Sequence, residues 1–246
     1  GAPVEEVRDR LLSANAYLGA APIVSALEQG ADVVLTGRVY DAGLTLGPLV
    51  HEFGWSFEDW DRLAAGVVAG HVLECGAQAT GGNYTDWEEV PDLARIGFPI
   101  AEVEPDGSFV VTKHPDLGGM VTAATVKEQL LYEIGDPRAY ETPDCRADFT
   151  SIQVEELGPD RVRLSGIEGG PPPEDYKVSA TYRDGWKAHA TLTYSWPNAP
   201  RKARAAARIL EQRLERAGCR YESFRSEVVG LDALAEGEAP SSESCE

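Results

Sequence analysis

The stretch from residue 13 to residue 40 constrains the fold more than any other part of the chain. Ser13, Ala14 and Asn15 offer caps to a helix from about Ala20 to Gln29, with Ile23, Val24 and Leu27 on one face. Gly30 stops that helix, and Asp32-Val33-Val34-Leu35-Thr36 follows as a short apolar run ending at Gly37-Arg38. A helix, a glycine and a β-branched run in that order make half of a βαβ unit. The expectation is an α/β fold with parallel-sheet βα layers in the first half.

The texture then changes. A helix is expected near Ser56 to Cys75, with Asp59 in a capping position, and a hairpin over 98 to 112 turning at Pro105-Asp106-Gly107. Thr122 caps a further helix toward Ile134. From residue 145 the chain reads as a β-rich α+β portion: a hairpin around Gly158-Pro159-Asp160-Arg161, strands near 176 to 183 and 187 to 195, then a basic amphipathic helix over 200 to 217. The expected organisation is an α/β portion over 1–144, a β-rich portion over 145–234 and a disordered tail over 235–246. That basic helix reads either as a solvated face or as a docking element for an acidic partner.

Charge narrows the partners. With 22 basic against 41 acidic residues the net charge is −19. Such a field opposes phosphate-backbone contacts and anionic lipid, so neither nucleic acid nor a membrane is expected as a partner. No apolar run approaches the roughly 20 residues that span a bilayer, and the first residues carry no basic stretch followed by an apolar one. Cys75, Cys145, Cys219 and Cys245 form no CxxC pair. They read as reduced thiols, and a cytoplasmic location is expected.

Three polar clusters are candidates for chemistry. The first runs from His71 to Tyr84. His71 and Cys75, four apart, share a helix face, and a neighbouring imidazole favours the thiolate that attacks acyl carbons. Glu74 would orient the ring or serve as an acid or base, while Gly81 and Gly82 let main-chain amides approach a ligand beside Asn83. Against this stands a buried structural thiol at Cys75. The second cluster is Gly37-Arg38-Val39-Tyr40-Asp41, where Arg38 pairs with a carboxylate or phosphate of a ligand, or with Asp41 to pin the turn. The third is Lys113 with Gly118-Gly119, leading into the helix at Thr122, read as an anion site or as a plain hairpin-to-helix connection. No second pair of ligands accompanies His71 and Cys75, so no metal site is expected.

These motifs resemble those of the acyclic terpene utilisation family. The resemblance rests on Ser13-Ala14-Asn15-Ala16-Tyr17-Leu18-Gly19-Ala20, Thr36-Gly37-Arg38, Asp41 and His51-Glu52-Phe53-Gly54-Trp55. It continues through Ala69-Gly70-His71, Glu74-Cys75-Gly76, Thr80-Gly81-Gly82-Asn83, Gly118-Gly119, Lys127 to Glu133 and Gly158-Pro159-Asp160-Arg161-Val162. It implies a role in terpene or branched acyl-CoA catabolism, on a small acyl or acyl-CoA substrate, by hydrolase or lyase/hydratase-type chemistry. Its alternative is a non-catalytic metabolite-binding or assembly subunit. Arg38 and Lys113 would take the anionic end of the substrate, His71 and Glu74 would do the acid–base work, and Cys75 would be the nucleophile. Asn15, Asp41, Gly81, Gly82, Asn83, Gly118 and Gly119 are further substrate-binding candidates. The resemblance covers the middle and C-terminal part of the family domain, which raises the expectation of a homo-oligomer or of a second chain supplying the rest.

Overall fold

The computed structural model describes residues 3–229. A short helix α1 (Val4–Val7) leads into strand β1 (Leu11–Ala16), followed by α2 (Ala21–Glu28), α3 (Gly43–Phe53) and the long α4 (Trp60–Glu74). Hairpin β2 (Pro99–Val103) and β3 (Phe109–Lys113) precedes α5 (Ala123–Leu131). Short strands β4 (Tyr140–Glu141) and β5 (Arg146–Asp148) come next, then the hairpin β6 (Gln153–Gly158) and β7 (Arg161–Ser165), β8 (Glu168–Gly170) and β9 (Val178–Tyr182). The last helix is α6 (Ala199–Arg216). The chain divides into two compact units between Arg183 and Asp184.

Local chemistry explains where several elements begin and end. Asp59 accepts the Arg62 amide and so caps α4, while Thr122 and Thr125 exchange side-chain bonds in a capping box that starts α5. Gly54, in the left-handed region at φ 62°, returns its N–H to the Val50 carbonyl and closes α3. α5 ends at Leu131, short of the expected Ile134. Residues 187 to 195 form no strand, and the expected tail over 235–246 lies outside the described residues.

The expected parallel layering does not form. Every ladder between named strands is antiparallel: β1 with β9, the sheet β2-β3-β7-β6, and the sheet β4-β5-β8. Parallel pairing is confined to two isolated bridges, Leu18 with Val39 and Ile96 with Gly118. The physical reason lies in residues 32 to 36. They meet no neighbouring strand among the described residues, and β1 takes its partner from β9. The chain there forms no strand, with Val33 85% and Leu35 97% exposed. Replacing Leu35 by lysine should therefore leave stability within about 0.5 kcal/mol of the parent. Leu46→Ala, in the core, should cost about 2–5 kcal/mol. Urea denaturation of the two variants checks this contrast.

The core of the first unit is built on α4. Leu63 through Val72 are all buried, packed against α3, α5, β5 and β8. That helix touches its neighbours closely because it carries glycines. A Cβ at Gly66 would lie 2.5 Å from Leu46 Cδ1, and one at Gly70 would lie 2.6 Å from the Ala42 Cα. Such approaches admit no side chain. At Gly70 the contact is main chain to main chain with the start of α3, flanked by Asp41 and His71, while Gly66 receives the Leu46 side chain.

Candidate functional site

The last turn of α4 carries the first cluster. His71 is 1% exposed, ringed by Phe149 in an edge-on contact at 5.5 Å and by Tyr140 at 5.9 Å. Its Nδ1 lies 2.9 Å from Glu74 Oε1, and its Nε2 lies 2.9 Å from the Gln129 carbonyl oxygen near the end of α5. Gln129 answers by donating its side-chain N–H to the His71 carbonyl at 2.6 Å. The Glu74 side chain is 18% exposed, so it is the open end of this network.

Cys75 closes α4 with its amide on the Leu73 carbonyl, and its thiol is half-buried. Both ring nitrogens of His71 are committed to other groups, so the imidazole that was expected to take the thiol proton has no nitrogen free for it.

The second cluster lies next to the first where Gly70 of α4 passes close to Ala42. Arg38 pairs with Asp41 at 3.3 Å and lies over the ring of Tyr17, 4.2 Å from its centroid, while Lys177 approaches the same ring at 5.0 Å. Asp41 in turn acts on Tyr140. Burial first, then the charges of Glu74, Asp41 and Glu133, push the Tyr140 phenol up to about 12. That keeps the hydroxyl protonated and able to donate at neutral pH. Of the expected constellations, 71–75 touches Tyr140 through the His71 ring, and 37–41 reaches its phenol through the charge of Asp41.

The glycine-rich segments do not converge with them. Gly81, at φ 97°, gives its N–H to the Gln78 carbonyl and Gly82 gives its N–H to Ala77, so neither amide faces a ligand as expected. Gly118 and Gly119 donate to the Arg95 and Pro91 carbonyls, and the Met120 amide bonds Thr80. The two glycine loops are knotted to their own surroundings. Lys113, expected to take an anion, is buried, donates to the Leu117 carbonyl at 2.8 Å and sits 3.5 Å from Asp160. Asn83 is exposed, and Asn15 lies exposed on β1 opposite Ser179.

Sequence reasoning gave no role to Gln129, Tyr140, Lys177 or Asp144. Gln129 stands inside a quoted motif and Lys177 inside an expected strand, whereas Tyr140 lies in a stretch with no expected element. Asp144 is buried and accepts the Ala20 amide at 2.8 Å, which ties the start of α2 to the segment before β5. A side chain at Gly19 would strike this carboxylate. Burial pushes the Asp144 carboxyl up, partly offset by the Ala20 amide, and it pushes the neighbouring Cys145 thiol up to about 12.

A pH dependence follows from Asp144. A carboxyl raised in the folded state still holds its proton where the unfolded chain has released it. Its contribution to stability is therefore full below the ordinary aspartate value of about 4 and is lost as pH rises through the raised value. Asp144→Asn should remove that component, so the stability difference between the parent and the variant should move against the parent with rising pH. Urea midpoints across the acid-to-neutral range read it. A pH-independent difference would show that Asp144 carries no such linkage.

The described residues thus form an α/β protein of antiparallel sheets packed on a buried helix, ending in an imidazole–carboxylate pair beside a cation-bearing turn. The chain belongs to the acyclic terpene utilisation family: the family's sequence model, described as acyclic terpene utilisation family protein AtuA, matches residues 1–245. Neither the curated proteins nor the solved structures compared with it give a significant match. Among the described residues no helix is long and apolar enough to cross a membrane.

Proposed function

We propose that this chain is an enzyme of acyclic terpene or branched acyl-CoA catabolism that works by acid–base chemistry on a small acyl or acyl-CoA substrate, in a hydrolase or lyase/hydratase-type reaction. One observation carries the reading: the buried His71 holds Glu74 Oε1 at 2.9 Å and packs its ring against Tyr140, whose phenol feels the charges of both Glu74 and Asp41. Arg38 and Lys177, exposed on either contact with Tyr17, take the anionic end of the substrate. Glu74 moves the proton, Tyr140 donates to developing oxyanion charge, and His71 positions Glu74. Cys75 lies at the same helix end and would act as a nucleophile only with a base other than His71.

The test is turnover of a panel of acyl-CoA thioesters and branched free acids by the full chain. Arg38→Gln and Lys177→Gln should each raise KM about tenfold, with kcat within about a factor of two, because each removes one charge-assisted contact to the non-reacting end. Unchanged KM in both variants would sink the assignment of the anionic end. No turnover of any member of the panel would end the enzyme reading.

A second reading, a non-catalytic binding or assembly subunit, is favoured by the exposure of Val33 and Leu35. Trp55 and Trp60 are not available for such an interface. Trp55 is buried on Phe53 and donates to the Pro105 carbonyl, and Trp60 packs against the core. Solution size decides for it if Leu35→Lys converts an assembly into a monomer, and against it if the parent is already a monomer.

A further inference from the structure

The proton count of the His71 network can be read from its acceptors. Nε2 faces the Gln129 main-chain carbonyl, which can only accept, so Nε2 carries a proton. Nδ1 faces Glu74 Oε1 at 2.9 Å. A neutral ring already protonated at Nε2 presents a lone pair at Nδ1, and a carboxylate presents another. Two lone pairs at that distance repel, so the contact requires a proton between them. It resides on Nδ1, giving imidazolium beside carboxylate, or on Oε1, giving imidazole beside carboxylic acid. In both forms the pair is neutral overall, which suits a ring that is 1% exposed.

Two helix ends support this arrangement. His71 lies in the last turn of α4, and the Gln129 carbonyl it meets lies in the last turn of α5. Both termini present partial negative charge to the ring and favour N–H at each nitrogen. The reciprocal bond from the Gln129 side chain to the His71 carbonyl fixes the two turns against each other. Tyr140 and Phe149 close the remaining faces of the ring, and the other charges nearby, Asp41 and Glu133, act on the Tyr140 phenol.

We propose that His71 and Glu74 share one proton across the Nδ1–Oε1 contact, with Gln129 as the residue that positions it, so that the resting site is loaded as a proton donor. This rests on the reading of Glu74 as the acid–base group, and it names the class of substrate. A loaded donor serves a reaction that begins by protonation: of a departing thiolate or alkoxide, or of a carbon–carbon double bond. In the first case water adds to the acyl carbon and gives up a proton to solvent, the bond from that carbon to sulfur or oxygen breaks, its electron pair stays on the departing atom, and that pair takes the proton from Oε1. In the second the π pair takes the proton, and water adds to the carbon left electron-poor and releases a proton to solvent. In either case His71 is left neutral and Glu74 ionised, one negative charge in all. A substrate whose first step is loss of a proton to the enzyme does not fit a resting donor.

The measurement is nitrogen and proton NMR of the full chain labelled with ¹⁵N-histidine, at neutral pH. Nε2 and Nδ1 of His71 should both read as protonated or proton-sharing, with a low-field proton bridging to Glu74. Glu74→Gln should abolish that proton and move Nδ1 to the range of a bare acceptor nitrogen, while Nε2 stays protonated. A bare Nδ1 in the parent protein overturns the proposal. Gln129→Met, if folded by circular dichroism, should weaken or broaden the bridging proton. An unaltered spectrum in that folded variant removes Gln129 as the positioning residue, and if the variant does not fold, Glu74→Gln alone decides. The NMR result is independent of turnover. A bridging proton found in an inactive protein would leave the shared proton standing and end the catalytic reading instead.

Discussion

Turnover by the Glu74→Gln variant is expected to fall by about 10²- to 10⁴-fold, the usual contribution of one positioned acid–base group. The fold should survive. Glutamine has nearly the shape of glutamate, and its amide can donate to Nδ1 where the shared proton had been. Substrate affinity should hold as well, because the cations beside Tyr17 are untouched. The expected pattern is a collapse of kcat with KM near that of the parent. A variant that kept more than about a tenth of the parental kcat would remove Glu74 from the chemistry, since loss of a true proton donor costs at least about 10²-fold.

The second large effect falls on stability. His71→Ala should destabilise the first unit by about 3–5 kcal/mol. The change empties a ring-sized space between Phe149 and Tyr140 in the core around α4. It also strips the Gln129 carbonyl and the Glu74 carboxylate of their partner, and the buried carbonyl left without a donor adds its own desolvation penalty. His71→Asn, smaller but polar, should recover only part of the loss. Urea denaturation followed by tryptophan fluorescence measures both, aided by Trp55 in the same core. A cost under about 1 kcal/mol for the alanine variant would mean that the pair contributes nothing to holding α4 and α5 together.

Much of this architecture is legible in the amino-acid order, though unevenly. Helices α2, α4 and α6 and the two hairpins follow from spacing, caps and turn residues, because those signals are local. The arrangement of the strands was not legible. Val33, Val34 and Leu35 have the composition of a buried parallel strand, but composition cannot say whether a neighbour is there to pair with, and among the described residues none is. The site shows the same division. His71 and Glu74 are three apart on one helix, so their meeting is written in the spacing. Gln129 and Tyr140 reach them from remote parts of the chain, and nothing at those positions announces the contact. The glycine pairs misled for a related reason. Gly81-Gly82 and Gly118-Gly119 have the freedom that a ligand cradle needs, but the same freedom lets two loops pass close to each other, and that is how it is used here.

The bare crossing of α4 over the start of α3 has one more consequence. Gly70 and Ala42 touch through their main chains, and each is followed or preceded by a residue of the site: His71 after the one, Asp41 before the other. The gap between the two halves of the site is thus gauged by the thickness of a peptide backbone. A single methyl at residue 70 acts as a shim, spreading Asp41 from Glu74 while altering no group that meets the substrate.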